Sequence, residues 1–137
     1  MLLAIDVGNT NIAFALYDGE KLAADWRTST RIDRTADEVG VELTQLFALR
    51  GREVGEVTGV VIASVVPTLN SALIEACRRY LGHDPVVVGP GAKTGVKVLY
   101  ENPKDVGADR IANALAAHRK YGGPAVVIDF GDRKSVV

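Results

Sequence analysis

Apolar residues run along this chain in short stretches whose period changes from two to about 3.6. Residues 2–7 form an apolar run interrupted by Asp6, which predicts a buried strand. Residues 11–17 and 21–27 predict two more strands, with Asp18-Gly19 between them as a hairpin signal. The domain therefore opens on three antiparallel strands. Thr35-Ala36-Asp37-Glu38 then has the spacing of a capping box. Val39, Leu43, Leu46 and Phe47 follow at helical intervals, predicting a helix to about Arg50 that Gly40 weakens slightly and Gly51 ends. Residues 57–66 are nearly continuous Val, Ile and Ala, the mark of a strand covered on both faces, and Pro67 stops it. A second helix is expected from Asn70 or Ser71, with Leu73, Ala76, Cys77 and Tyr80 inward and Gly82 as its stop. Residues 85–88 predict a strand and 96–100 a short extended segment. Residues 108–120 predict a helix with Ile111, Ala112 and Leu115 on one face, broken by Tyr121-Gly122-Gly123-Pro124, and 125–130 a last strand. Strands alternating with helices after an opening meander give an α/β domain with a mixed sheet.

Composition adds exclusions. The chain has 137 residues, 47% hydrophobic and 24% charged, with a net charge of −1. That length suits one domain, and the balance offers no electrostatic reason to expect nucleic acid or an anionic membrane. The apolar stretches are strand-sized, and the N-terminal run lacks the basic region and long apolar core of a signal peptide. One cysteine, Cys77, sits in a helical pattern and reads as a small core residue. A cytoplasmic setting follows as the expectation.

The candidate chemistry lies in two segments. Asp6-Val7-Gly8-Asn9-Thr10 puts a carboxylate and a flexible glycine at a strand end, with short polar side chains beside them. Glycine lets backbone N–H groups approach a phosphate, and the Asp carboxylate can hold Mg²⁺ or its bound water. The other reading of this segment is an ordinary turn. Ile5-Asp6-Val7-Gly8 recurs as Ile128-Asp129-Phe130-Gly131, so two such loops facing each other could clamp a nucleotide's phosphates. The second segment is Asn102-Pro103-Lys104-Asp105-Val106-Gly107-Ala108-Asp109-Arg110. At the start of a helix, Asp109 can accept a proton from a substrate hydroxyl, and Arg110 can pair with a carboxylate or with phosphoryl charge. Equally, Asp109 can simply complement the helix dipole. Gly89-Pro90-Gly91-Ala92-Lys93-Thr94-Gly95 fits neither nucleotide-loop template and reads as a loop. His83 and His118 lack metal-ligand spacing, and no nucleophile elbow surrounds Ser64. Trp26 and Arg27 end a strand and could line a ligand site, or serve as core and surface charge.

Taken in order, these segments resemble the type III pantothenate kinase family. The resemblance rests on residues 6–10, on Trp26-Arg27-Thr28-Ser29-Thr30 with Arg34-Thr35-Ala36-Asp37-Glu38, and on Ser64-Val65-Val66-Pro67. It continues through residues 89–95, Tyr100-Glu101-Asn102-Pro103, Gly107-Ala108-Asp109-Arg110-Ile111-Ala112-Asn113 and Ile128-Asp129-Phe130-Gly131. It implies an acetate-and-sugar-kinase, Hsc70 and actin-like (ribonuclease H-like) fold and ATP-dependent phosphorylation of pantothenate, the first step of coenzyme A synthesis. It further implies that Asp6, Val7, Gly8, Asn9 and Thr10 handle the phosphates of ATP with Mg²⁺. Tyr100, Gly107, Ala108, Asp109 and Arg110 would bind pantothenate, with Asp109 the proton acceptor. Asp129 would hold a monovalent cation, K⁺ or NH₄⁺. Family members are cytoplasmic homodimers.

On that pattern residues 1–124 are the first lobe of the kinase and 125–131 the opening strand and phosphate loop of a second lobe that is largely missing. The chain by itself is expected to be inactive. After Gly131 the family continues with small threonine-rich residues, whereas this chain reads Asp132-Arg133-Lys134-Ser135-Val136-Val137. GAT CGG AAG AGC GTC GTG encodes that string, a common sequencing adapter read in frame, so residues 132–137 read as a non-native tail. Two alternatives stay open: a non-catalytic regulatory protein on the same fold, and a same-fold kinase for another small alcohol.

Overall fold

The structure, a computed structural model, describes residues 1–89, 92–95 and 97–129. Three strands come first: β1 (Leu2–Val7), β2 (Asn11–Asp18) and β3 (Lys21–Ser29). Helix α1 (Ala36–Ala48), strand β4 (Gly59–Ser64), helix α2 (Pro67–Ala76), strand β5 (Val86–Val88) and helix α3 (Ala108–Tyr121) follow. The five strands form one sheet in the order β3-β2-β1-β4-β5. β1 pairs antiparallel with β2 and parallel with β4, so the sheet is mixed, as the alternation of elements predicts.

The period-two pattern decides which face is covered. Leu3, Ile5 and Val7 of β1, Ile12, Phe14 and Leu16 of β2, Ala24 and Trp26 of β3, and Val60 and Ile62 of β4 are buried in one cluster with Val39, Leu43 and Phe47 of α1 and Leu69, Leu73 and Ala76 of α2. The alternate residues Ala4, Asp6, Ala13, Ala15, Asp25, Arg27 and Ala63 point to the opposite face. Trp26 is a core residue: its ring stacks on Phe47 with centroids 5.1 Å apart.

Local chemistry sets the helix ends. Thr35 accepts the Glu38 N–H at 3.2 Å, and Glu38 accepts the Thr35 N–H at 2.8 Å, forming the expected capping box. Helix α2 begins at Pro67, earlier than expected, because proline's fixed φ and missing N–H suit the first helical position. Its end widens into a π-helical turn, Cys77–Leu81, and Gly82 closes it in the left-handed region at φ 70°. Cys77 is buried there, while Tyr80 is only partly covered.

Two expected strands are not formed. Residues 97–100 make no ladder, and Val96 lies outside the described residues. Residues 125–129 are irregular, with Val126 and Ile128 89% and 71% exposed. A β segment is stable only when a neighbour takes up its N–H and C=O groups, and no described strand does so here. Phe130, and with it the end of that expected strand, lies outside the described residues, as do Gly131 and residues 132–137. No helix among the described residues is long and apolar enough to cross a membrane.

Candidate active site

The site forms at the end of β1, on the sheet face that α1 and α2 leave open. Val7 is the last residue of β1, and Gly8, Asn9 and Thr10 turn the chain into β2. The turn is tight: the Gly8 N–H donates to the Asn11 carbonyl at 2.9 Å, and a Cβ on Gly8 would press that oxygen at 3.1 Å. The Gly8 N–H is thus committed inside the turn. Asn9 and Thr10 follow it in the turn, both exposed. Thr30, just beyond β3, anchors the loop. Its hydroxyl donates to the Gly8 carbonyl at 2.7 Å, and its N–H donates to the Thr10 carbonyl at 2.8 Å.

Helix α3 brings the second segment to the same place. It packs against β4 and β5, and a Cβ on Gly107 would lie 3.4 Å from Val65 just after β4. The same Cβ would meet the Asp109 carboxylate closely, so Gly107 gives that side chain its room. The Asp109 carboxylate accepts the Arg110 N–H at 2.8 Å in the first turn of α3. Asp109 therefore does complement the helix N-terminus, while remaining part of the cleft.

Asp6 registers this assembly. Although the residue keeps solvent access, protein around its carboxyl strips away part of its water and pushes its pKa up. The negative charges of Asp109 and then Asp129 push it further, and the guanidinium of Arg27 pulls it back. Three sequence-predicted carboxylates are therefore gathered in one cleft. Asn113, one turn along α3 from Asp109, donates to the Asp129 carboxylate at 3.1 Å. Arg110, Asn113, Val127, Ile128 and Asp129 line an open cavity of about 450 Å³.

No three His, Cys, Asp or Glu side chains among the described residues close on one point that could hold a metal by themselves. Mg²⁺ in phosphoryl-transfer sites binds through one or two carboxylates plus phosphate oxygens and keeps its waters. The mutual repulsion felt at Asp6 is also what a bound cation relieves. The residues present fit such a group.

Tyr100 is not drawn in. It is 59% exposed in irregular chain before the short 3₁₀ turn Pro103–Asp105, and no hydrogen bond ties it to the cleft. Ser64 turns its hydroxyl onto the backbone, accepting the Val66 N–H at 3.1 Å. His83 Nε2 lies 2.9 Å from the Val57 carbonyl. Ala92 and Thr94 make turn hydrogen bonds with Gly89 and Ala92 carbonyls, consistent with a plain loop; Pro90 and Gly91 lie outside the described residues. Thr30 and Asn113 were not among the expected site residues. Only their position within the matching motifs marked them.

Carboxylates gathered in one cleft with arginine nearby are compatible with phosphoryl-transfer chemistry. The family model for type III pantothenate kinase matches residues 2–132. Proteins described as type III pantothenate kinases from Moorella thermoacetica and Paramagnetospirillum magneticum are each 53% identical over 96% of this chain. The alignments cover 52% and 51% of those proteins. One from Anaeromyxobacter sp. strain K is 54% identical over 96% of this chain and 52% of its own. The chain belongs to the type III pantothenate kinase family. It spans about half the length of the curated relatives it matches. Among solved structures, a candidate N-acetylglucosamine kinase from Porphyromonas gingivalis overlaps 64% of this chain and 32% of its own. The TM-score is 0.47 and the identity 21%.

Proposed function

We propose that the protein to which this chain contributes phosphorylates pantothenate with ATP, the opening step of coenzyme A synthesis. The observation that carries the proposal is the convergence of Asp6 and Asp109, from separate motifs, in one cleft beside the Gly8–Thr10 turn. Asn9 and Thr10 present amides and short side chains to the phosphates. Asp6 would hold Mg²⁺, and the bound ion would supply charge neutralisation. Asp109 accepts the proton of the pantothenate hydroxyl as it attacks, the work of a positioned general base. Arg110 pairs with the substrate carboxylate, since its fork matches two carboxylate oxygens. Gly107 and Ala108 leave space at the helix start, and Tyr100 contributes to pantothenate binding. Asp129, oriented by Asn113, would hold a monovalent cation, K⁺ or NH₄⁺.

The same reading makes residues 1–124 the first lobe and 125–131 the opening of a second. The working enzyme is a cytoplasmic homodimer with no nucleic-acid or membrane partner. This chain alone turns over negligibly. A coupled ATPase assay on a protein of the relatives' full length, with and without pantothenate, tests the proposal. Pantothenate-dependent turnover that Asp109→Asn abolishes supports it. Equal ATP consumption without pantothenate, or turnover on another small alcohol only, overturns it.

A further inference from the structure

We propose that Arg27 is a polyphosphate-binding residue of this cleft, facing the phosphates from the β3 side of the sheet. The inference deepens the phosphoryl-transfer reading above and rests on it.

The register of the sheet places Arg27 opposite Ala13, Ala13 opposite Asp6, and Asp6 opposite Ala63. These four residues form one row across the open face. Adjacent strands lie about 4.8 Å apart, so the Arg27 Cα stands roughly 10 Å from that of Asp6. The position between them holds only a methyl group, leaving the long arginine side chain free to lean across the sheet toward the loop. Trp26 and Thr28 flank Arg27 in sequence, and Trp26 is buried in the core, so strand alternation commits Arg27 to the open face. The strand that carries it ends at Ser29, and the next residue, Thr30, is hydrogen-bonded to the Gly8 and Thr10 carbonyls. Arg27 is therefore mounted on the element that anchors the turn.

Charge completes the case. The cleft gathers three carboxylates, and a polyphosphate adds further negative charge. Arg110 is placed on α3 and assigned to the substrate carboxylate. Arg27 forms no ion pair within 4.0 Å among the described residues, unlike Arg34, Arg52, Arg78 and Arg79. Arg27 is therefore available for a planar, two-pronged contact with phosphate oxygens.

The test uses the 137-residue chain and inorganic triphosphate with Mg²⁺, titrated calorimetrically at pH 7.5. Arg27→Gln is expected to weaken binding about tenfold or more, the scale of a lost charge-assisted contact. Arg27→Lys should restore part of it, keeping the charge but losing the fork. Arg31→Gln, on the exposed loop beyond β3, should change little and controls for net charge. Circular dichroism and Trp26 emission verify that each variant is folded. Equal affinity for Arg27→Gln and the parent chain, or no triphosphate binding by the parent at millimolar concentration, overturns the inference. Loss of pantothenate-dependent turnover as the full-length activity, with Arg27-dependent triphosphate binding intact, would instead refute the choice of substrate alone.

Discussion

Gly40 sits in the middle of α1, where alanine is normally the better residue. Replacing an exposed mid-helix glycine by alanine gains about 0.5–1 kcal/mol from reduced chain entropy. Here the structure reverses the sign. A Cβ on Gly40 would fall inside contact distance of three atoms of the Tyr80 ring, including Cγ at 2.6 Å. The ring cannot simply swing away, because its hydroxyl donates to the Asp37 carboxylate on the same helix. Overpacking of this kind costs about 1–3 kcal/mol. Strain on the exposed Tyr80–Asp37 hydrogen bond adds about 0.5 kcal/mol. Gly40→Ala should therefore destabilise the chain by about 1–2 kcal/mol, measured by urea unfolding. The decisive comparison is the same substitution in a Tyr80→Ala background. With the ring gone, alanine at position 40 should stabilise by about 0.5–1 kcal/mol, so the double-mutant cycle shows strong coupling. A stabilising Gly40→Ala in the otherwise unchanged chain, or the same effect in both backgrounds, would refute the claim that Tyr80 dictates this glycine.

Other expectations follow from named contacts. Thr35→Ala removes the cap of α1 and should cost about 1 kcal/mol in urea unfolding. The Glu38 carboxyl is held below its usual range, first by the Thr35 N–H and then by its hydroxyl. Its stabilising effect is thus present above the unfolded-state pKa and lost as pH falls through the lower folded value; Glu38→Gln should show its deficit at pH 7 but not in acid. The raised pKa of Asp6 has the opposite sign. Its charge penalises the folded state above the folded pKa, and the penalty fades as pH falls through that value and is gone below the unfolded one. Asp6→Asn should raise the urea midpoint at pH 7.5 with a gain that shrinks on acidification. Arg34 is nearly enclosed and pairs with Glu42 at 2.7 Å, so Glu42→Ala should cost about 2–3 kcal/mol in the same assay by stranding the guanidinium. Burial pushes the Cys77 thiol up to about 11, so alkylation at pH 8 should be slow until denaturant is added.

Much of this architecture could be read locally. The capping box at Thr35 and Glu38, the Asp18-Gly19 hairpin and the Gly82 stop are decided by residues adjacent in the chain. Their outcomes matched. Helix α2 starts earlier than its apolar spacing predicts, because Pro67, which ends a strand pattern, is equally a good first residue of a helix. The segment 125–129 looked like a strand because strand composition was visible while a pairing partner was not. In the site, Asp6 and Asp109 stood out by residue type and setting. The tether from Thr30 to Gly8, the Asn113 contact with Asp129, and the row linking Arg27 to Asp6 depend on register between distant segments, which no local pattern encodes. Gly40 was legible only as a weak helix residue; its reason lies on another helix.

The two edges of β1 have different histories. Its antiparallel edge is taken up by β2, the next segment of the chain, across a three-residue turn. Its parallel edge waits for β4, with Leu2 paired to Gly59 and Val7 to Ser64, after α1 has been made. Closing that long loop comes late, because its entropy must be met before the contacts it allows are formed. During synthesis the β1–β2–β3 meander can assemble while Leu3, Ile5 and Val7 still lack both their helical cover and their parallel neighbour. For that interval β1 is an open edge, where a second nascent chain can pair in place of β4. Expression at lower temperature or with a holdase should therefore help this protein most before residue 64 has left the ribosome.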